Sequence, residues 1–193
     1  MNNNEHIVML LVGRTGSGKS SLINKLCERA GLVELQSYTT RKKRYESDND
    51  HLFVDVEQYL KAKEHGEIAI DTELAGNYYY STIEQLYSAD LYTINPDALG
   101  RLLAMNLPNI RFVVVYISCP EEEREKRAMA RGDDKHKYRM RNLSEKQEFR
   151  KFVAEEKWDY SINNLDFPKS YSVLKWITQV EGLWKNHEED TTK

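Results

Sequence analysis

The apolar run Ile7-Val8-Met9-Leu10-Leu11-Val12 leads directly into Gly13-Arg14-Thr15-Gly16-Ser17-Gly18-Lys19-Ser20, and the amphipathic stretch Leu22-Ile23-Asn24-Lys25-Leu26 follows. A strand, a glycine-rich turn and a helix in that order make a phosphate-binding loop. The glycines let successive backbone N–H groups turn inward around an anion, and the helix aims its free N–H groups and positive dipole end at the same charge. The pattern predicts that Gly13, Arg14, Thr15, Gly16, Ser17, Gly18, Lys19, Ser20 and Ser21 cradle a polyphosphate. Lys19 would reach the outer phosphates and Ser20 would hold Mg²⁺.

Apolar runs alternate with helical patterns along the chain, which predicts an α/β fold whose parallel sheet is buried on both faces. Strands are expected near residues 7–12, 32–36, 91–95, 111–118 and 160–163, and helices near 19–30, 97–105, 121–131, 142–157 and 171–185. This is a P-loop three-layer α/β/α architecture with a five-stranded parallel sheet. The helix after Pro120 opens on Glu121-Glu122-Glu123, an acidic first turn that complements the helix dipole and reads as structural. Two segments break the alternation. Residues 45–81 hold short strand-like pieces (Phe53-Val54, Ile68-Ala69-Ile70, Tyr78-Tyr79-Tyr80) around a helix at 56–64, and Gly132-Asp133-Asp134-Lys135-His136-Lys137-Tyr138 is charged and lacks an apolar face. Insertions at the carboxyl ends of parallel strands are where ligands bind, and polar loops there serve as lids. One domain is therefore expected, with a core of residues 1–36, 82–131 and 142–185, an acceptor-binding insert 37–81, a lid 132–141 and a polar tail 186–193.

A chain of 193 residues suffices for one core. Its net charge of −3 gives no basic excess of the kind that general nucleic-acid binding needs. The two cysteines, Cys27 and Cys119, form neither a disulfide framework nor a metal-ligand spacing, which suits a reducing cytosol. No apolar run is long enough to span a membrane and residues 1–5 lack the features of a signal peptide, so a cytoplasmic protein, monomer or homodimer, is expected.

After the second expected strand comes Ser37-Tyr38-Thr39-Thr40-Arg41-Lys42-Lys43-Arg44. Forked guanidinium groups bind phosphate bidentately, so Arg41 and Arg44, with Ser37 as a neutral donor, are candidates to clamp a monophosphate. With this segment in its place, the chain resembles the guanylate kinase family from the P-loop to about Asp166. The run from Ser37 to Arg44 is similar to the family's S-x-T-T-R-x-x-R motif for the phosphate of GMP. His51-Leu52-Phe53 stands where the family has Tyr-x-Phe, and Gly76-Asn77-Tyr78-Tyr79-Tyr80-Ser81 resembles its G-N-x-Y-G-[TS], which nominates Tyr79 for the phosphate and Ser81 for the base. Arg127-Ala128-Met129-Ala130-Arg131-Gly132 matches the lid-entry R-x-x-x-R-G. Arg141, seven residues before Glu148, is similar in placement to a third lid arginine, with Arg139 as its competitor. Trp158-Asp159-Tyr160-Ser161-Ile162-Asn163-Asn164 resembles F-D-Y-x-I-x-N and places Asn164 near the adenine.

The resemblance implies transfer of the ATP γ-phosphoryl group to a nucleoside monophosphate, GMP or dGMP first, with Mg²⁺ as cofactor. Lys19, Arg127, Arg131 and Arg141 would be catalytic, and Ser37, Arg41, Arg44, His51, Asp71, Tyr79, Ser81 and Asn95 would bind the acceptor. The sequence departs from the family where the base is read. The guanine-reading glutamate falls at Ile70, whose side chain accepts no proton, leaving adjacent Asp71 as the substitute. The family's I-L-D-I-D becomes Leu91-Tyr92-Thr93-Ile94-Asn95, and Tyr80 stands for a glycine. Two alternatives stay open at this point: a binding module without turnover, and a P-loop kinase acting on a modified nucleotide, a sugar phosphate or a polynucleotide end.

Overall fold

β1 (His6–Val12) is buried from Val8 onward. Val8, Leu10 and Val12 enter one core cluster while Met9 and Leu11 enter another, the period-two alternation of a strand covered on both faces. The computed structural model describes residues 5–43, 46–74 and 76–184. After β1 come α1 (Lys19–Ala30), β2 (Tyr38–Thr39), β3 (Leu52–Phe53), α2 (Val56–Glu64), β4 (Ile68–Leu74) and β5 (Asn77–Thr82). There follow α3 (Ile83–Ser88), β6 (Leu91–Thr93), α4 (Pro96–Ala104), β7 (Ile110–Ser118) and α5 (Glu121–Ala130). The described chain closes with α6 (Lys135–Glu155), β8 (Tyr160–Asn163) and α7 (Phe167–Val180).

The central sheet runs β6-β1-β7-β8 and is parallel throughout. Leu22, Ile23 and Leu26 of α1 join Leu174 and Ile177 of α7 on one face, and Leu99 and Leu102 of α4 join Phe149 and Phe152 of α6 on the other. The expected three-layer α/β/α arrangement is thus present. Among the described residues its sheet has four strands rather than five. Residues 32–36 run beside β6 but contribute only the bridge Glu34↔Leu91, with Leu35 N–H donating to the Leu91 carbonyl at 2.7 Å. Leu32 and Leu35 are buried, while Val33 and Glu34 point outward at the sheet edge. Gln36 then leaves the sheet, its amide donating to the Asn49 carbonyl and its own carbonyl accepting from Gln85.

The insert forms a second sheet in the order β3-β2-β5-β4, with β2 and β3 parallel and the other pairs antiparallel. Tyr59 of α2 stacks on Tyr78 with centroids 4.1 Å apart, and with Tyr80 it builds a small core of its own.

The largest differences from the sequence reading are in three helices. α3 has no counterpart there; Thr82 and Gln85 close a capping box at its start. α6 begins at Lys135 instead of 142, because the Asp134 carboxylate accepts the Lys137 N–H and Tyr138 and Asn142 provide the buried positions that the charged sequence conceals. α7 starts at Phe167, capped by Asp166. Among the described residues, no helix is long and apolar enough to cross a membrane. Arg44 and the tail 186–193 lie outside the described residues.

Candidate phosphate-handling site

The loop between β1 and α1 takes its shape from three glycines. Gly16 and Gly18 have φ of 81° and 92°, in the left-handed region that side chains disfavour. At Gly13, a Cβ would come within 2.5 Å of the Ile117 carbonyl of β7, so the loop lies too close to the sheet for any side chain. Lys19 is the first residue of α1, and its Nζ donates back across the loop to the carbonyls of Gly13 and Arg14. Burial lowers the Lys19 pKa to about 8; Glu145 opposes that shift, and Arg141, Arg124 and Arg131 add to it. Ser20 and Ser21 are exposed at the mouth of the loop. N–H groups of the first helical turn have no partner within α1, which leaves the end of the helix open to an anion.

The other side of the loop is held by residues that spacing alone did not nominate. Arg124 of α5 is 1% exposed; its Nε donates to the Cys119 carbonyl, and its Nη1 donates to the Thr15 carbonyl at 3.1 Å and to Asn142 Oδ1 at 2.9 Å. Arg14 donates to the same Asn142 through both its side-chain and main-chain oxygens. Burial, followed by the neighbouring Arg124 charge, lowers the Arg14 pKa. Glu145 of α6 accepts the Thr15 N–H at 2.9 Å and the Thr15 hydroxyl at 2.6 Å. A usable signal existed for Arg124, which shares one helical face with Arg127 and Arg131 at spacings of three and seven. Asn142 and Glu145 lie within the helix expected at 142–157, but nothing in their residue type or spacing ties them to a loop 128 to 130 residues away in the chain.

Each expected lid arginine is held by a carboxylate. Arg127 Nε donates to Glu123 at 3.0 Å, Arg131 Nε to Asp133 at 2.9 Å and Arg141 Nε to Glu145 at 3.2 Å. Arg131 and Arg141 are close enough for their charges to reach Lys19. Arg139 instead faces Glu125, 4.0 Å away. That geometry favours Arg141 over Arg139 as the third arginine of the site.

In the insert, Ser37, Arg41, His51 and Tyr79 converge. Ser37 Oγ lies 2.9 Å from His51 Nδ1, and the His51 and Tyr79 rings meet edge-on with centroids 5.3 Å apart. Burial, aided by the Arg41 charge, lowers the His51 pKa and so favours the neutral ring. Arg41 Nη1 donates to the fully buried Asp48 at 2.9 Å, which raises the Arg41 pKa, and Tyr79 adds to that rise. Nε and Nη2 of Arg41 are also buried, yet neither has a hydrogen-bond partner among the described residues. Those two groups form one edge of the guanidinium, the kind of edge suited to a bidentate contact with phosphate.

Four of the expected ligands prove to be engaged elsewhere. Asn164 was expected near the adenine; its side chain is fully buried and donates to the Ser17 carbonyl at 2.8 Å, underneath the loop. Asp71 was the substitute for base reading, but Oδ2 accepts from Tyr59 at 2.8 Å and Lys63 at 3.1 Å, and Arg101 lies 3.5 Å from Oδ1. Burial pushes the Asp71 pKa up, but the Tyr59, Lys63 and Arg101 contacts outweigh it and the net shift is downward. Asn95 caps α4, its Oδ1 accepting the Ala98 N–H at 2.8 Å. Ser81 is fully buried and receives the Tyr92 hydroxyl at 3.3 Å, and Ile70 packs into the core cluster that holds Tyr92 and Ala98.

Comparisons with known proteins agree with this architecture. The family model described as guanylate kinase matches residues 5–181. A guanylate kinase of Chlamydia felis is 31% identical over 170 residues, covering 84% of this chain and 82% of its own. One of Nitratidesulfovibrio vulgaris is 33% identical over 184 residues, covering 88% and 84%. Among solved structures, guanylate kinase from Anaplasma phagocytophilum superposes with a TM-score of 0.63 at 24% identity, over 95% of this chain and 88% of that one. A phosphate loop on a parallel α/β sheet, a guanidinium-bearing insert and a family match across nearly the whole described chain place this protein in the guanylate kinase family.

Proposed function

We propose that the chain is an ATP-dependent kinase that transfers the γ-phosphoryl group to the phosphate of GMP or dGMP, giving ADP and the nucleoside diphosphate. The observation that carries this reading is the buried, unpartnered Nε/Nη2 edge of Arg41 beside Ser37, His51 and Tyr79, in a chain that also has a complete phosphate loop. The two features supply a cradle for the acceptor phosphate and one for the donor. The bond from the γ-phosphorus to the β-bridging oxygen breaks and one to an acceptor phosphate oxygen forms. That oxygen is already ionised, so no general base is required; catalysis rests on in-line placement and charge neutralisation.

Lys19 would hold the β and γ phosphates, and Arg127, Arg131 and Arg141 would exchange their carboxylate partners for the migrating group. Arg44 completes the proposed acceptor set, with the insert 37–81 closing over the nucleotide and residues 132–141 over the donor. Mg²⁺ fits the donor chemistry of the site. The exposed Ser20 hydroxyl supplies one oxygen, and Mg²⁺ characteristically takes the rest from phosphates and water rather than from an all-protein cage. Bound there, the ion would supply positive charge against the developing negative charge on the phosphates. The unpaired cysteines and the acidic balance are in keeping with a cytoplasmic enzyme of small molecules.

The test is to incubate the protein with γ-labelled ATP, Mg²⁺ and GMP. Label recovered in GDP supports the reading. ATP hydrolysis to labelled inorganic phosphate alone, or no consumption of ATP, contradicts it.

A further inference from the structure

Glu145 is the carboxylate in closest contact with the phosphate loop, and the expected transfer machinery does not use it. Its side chain is 15% exposed, on the α6 face that leans on the loop. Oε2 accepts the Thr15 N–H, and Oε1 accepts both the Thr15 hydroxyl and Arg141 Nε. Arg14 Nε, buried and without a hydrogen bond among the described residues, stands 4.0 Å from Oε2. The surroundings of this carboxylate are thus a loop N–H, a hydroxyl, two guanidinium groups and the nearby Lys19 amine. Those are the groups that a terminal phosphate requires.

Thr15 sits at the strand end of the loop, remote from the first turn of α1 where the inner phosphates seat. Arg141 is one of the arginines proposed to meet the migrating group. We propose that Glu145 is a positioning residue that occupies the γ-phosphate end of the loop and keeps Arg141 in reserve, so that the γ-phosphate of ATP must displace it whereas ADP need not. The proposal rests on the phosphoryl-transfer reading above. An incoming γ-phosphate inherits Thr15 N–H and Arg141, and the carboxylate, repelled by the new anion, swings away from Thr15 by rotation of its own side chain while α6 keeps Arg141 at the site. Once the phosphoryl group has left, the carboxylate returns to the loop. Glu145 thereby lowers the affinity for ATP relative to ADP, since the two anions compete for one place.

The experiment is calorimetric titration of the full chain with ATP and, separately, with ADP, both with Mg²⁺. Wild type is compared with Glu145→Gln, which keeps an acceptor for Thr15 but no charge, and with Glu145→Ala. The expected result is ATP binding tightened by about tenfold or more in both variants, a coupling of ordinary size, with ADP affinity altered less than about twofold. A residue that merely braced the loop would shift both nucleotides together. Equal shifts for ATP and ADP, or weaker ATP binding in both variants, overturn the proposal while leaving the donor site standing. Failure of the wild type to bind either nucleotide overturns the donor site and the role of Glu145 with it.

Discussion

The side-chain amide of Asn164 donates to the Ser17 carbonyl at 2.8 Å, fastening the end of β8 to the underside of the phosphate loop. The fit is close: a Cβ on Gly18 would fall 2.3 Å from Asn164 Nδ2. Asn164→Ala leaves a buried carbonyl unsatisfied, which costs about 1–3 kcal/mol. Thermal unfolding should register that loss. Kinetics should show weaker binding of ATP with an unchanged preference for ATP over GTP as donor, because the amide faces the loop. A collapse of that preference would restore Asn164 to the adenine site.

Arg41 divides its guanidinium between buried Asp48 and an unpaired edge. Arg41→Lys keeps a positive charge beside Asp48 but loses the fork. Acceptor KM should rise about tenfold or more, as expected when a charge-assisted bidentate contact is lost, while donor KM stays within about twofold. Equal changes in both KM values would mean that Arg41 acts on the fold and not on the acceptor.

Asp71 ties α2, β4 and α4 together through Tyr59, Lys63 and Arg101. Asp71→Asn should cost about 1 kcal/mol of stability and leave the ratio of turnover on GMP to that on AMP unaltered. A lost guanine preference in this variant would show that the carboxylate reads the base after all.

Lys19 has its pKa lowered to about 8 by burial. A phosphate beside it favours the charged form, so ATP binding raises that pKa and takes up a proton whenever the free amine is partly neutral. ATP affinity should therefore be flat below about pH 8 and decline above it. Titrations at about pH 9 in buffers of different ionisation enthalpy should reveal net proton uptake that is absent at about pH 7 and absent from Lys19→Ala. For stability the sign is opposite. Unfolding restores the ordinary lysine pKa of about 10.4, so the cost of burying the charge is present in full at low pH and is relieved as pH climbs from about 8.

The core was legible because β1 and β7 at its centre hold long apolar runs, and β1, β7 and β8 lie where strands were expected. Residues 32–36 misled because Leu32 and Leu35 supply the apolar signal, whereas strand pairing depends on where the neighbours go, and Gln36 goes to the insert. The start of α6 was hidden for another reason. Asn142 is anchored by Arg14 and Arg124 and Tyr138 is buried only in the folded chain, so the segment looks like a charged loop until α5 and the phosphate loop are in place. Candidates for phosphate handling could be nominated because that chemistry follows from residue type and spacing. Base reading could not, since the carboxylate of Asp71 is available only if Tyr59, Lys63 and Arg101 leave it free, and spacing carries no information on that.

The most direct measurement is steady-state ADP release from Mg·ATP with GMP, dGMP, AMP, dTMP and dCMP offered in turn to the wild type and to Lys19→Ala. Turnover concentrated on the guanine acceptors, reduced by about 100-fold or more in Lys19→Ala with the fold intact, is the predicted result. Near-normal turnover in Lys19→Ala, or none with any acceptor although ATP binds, would contradict the account.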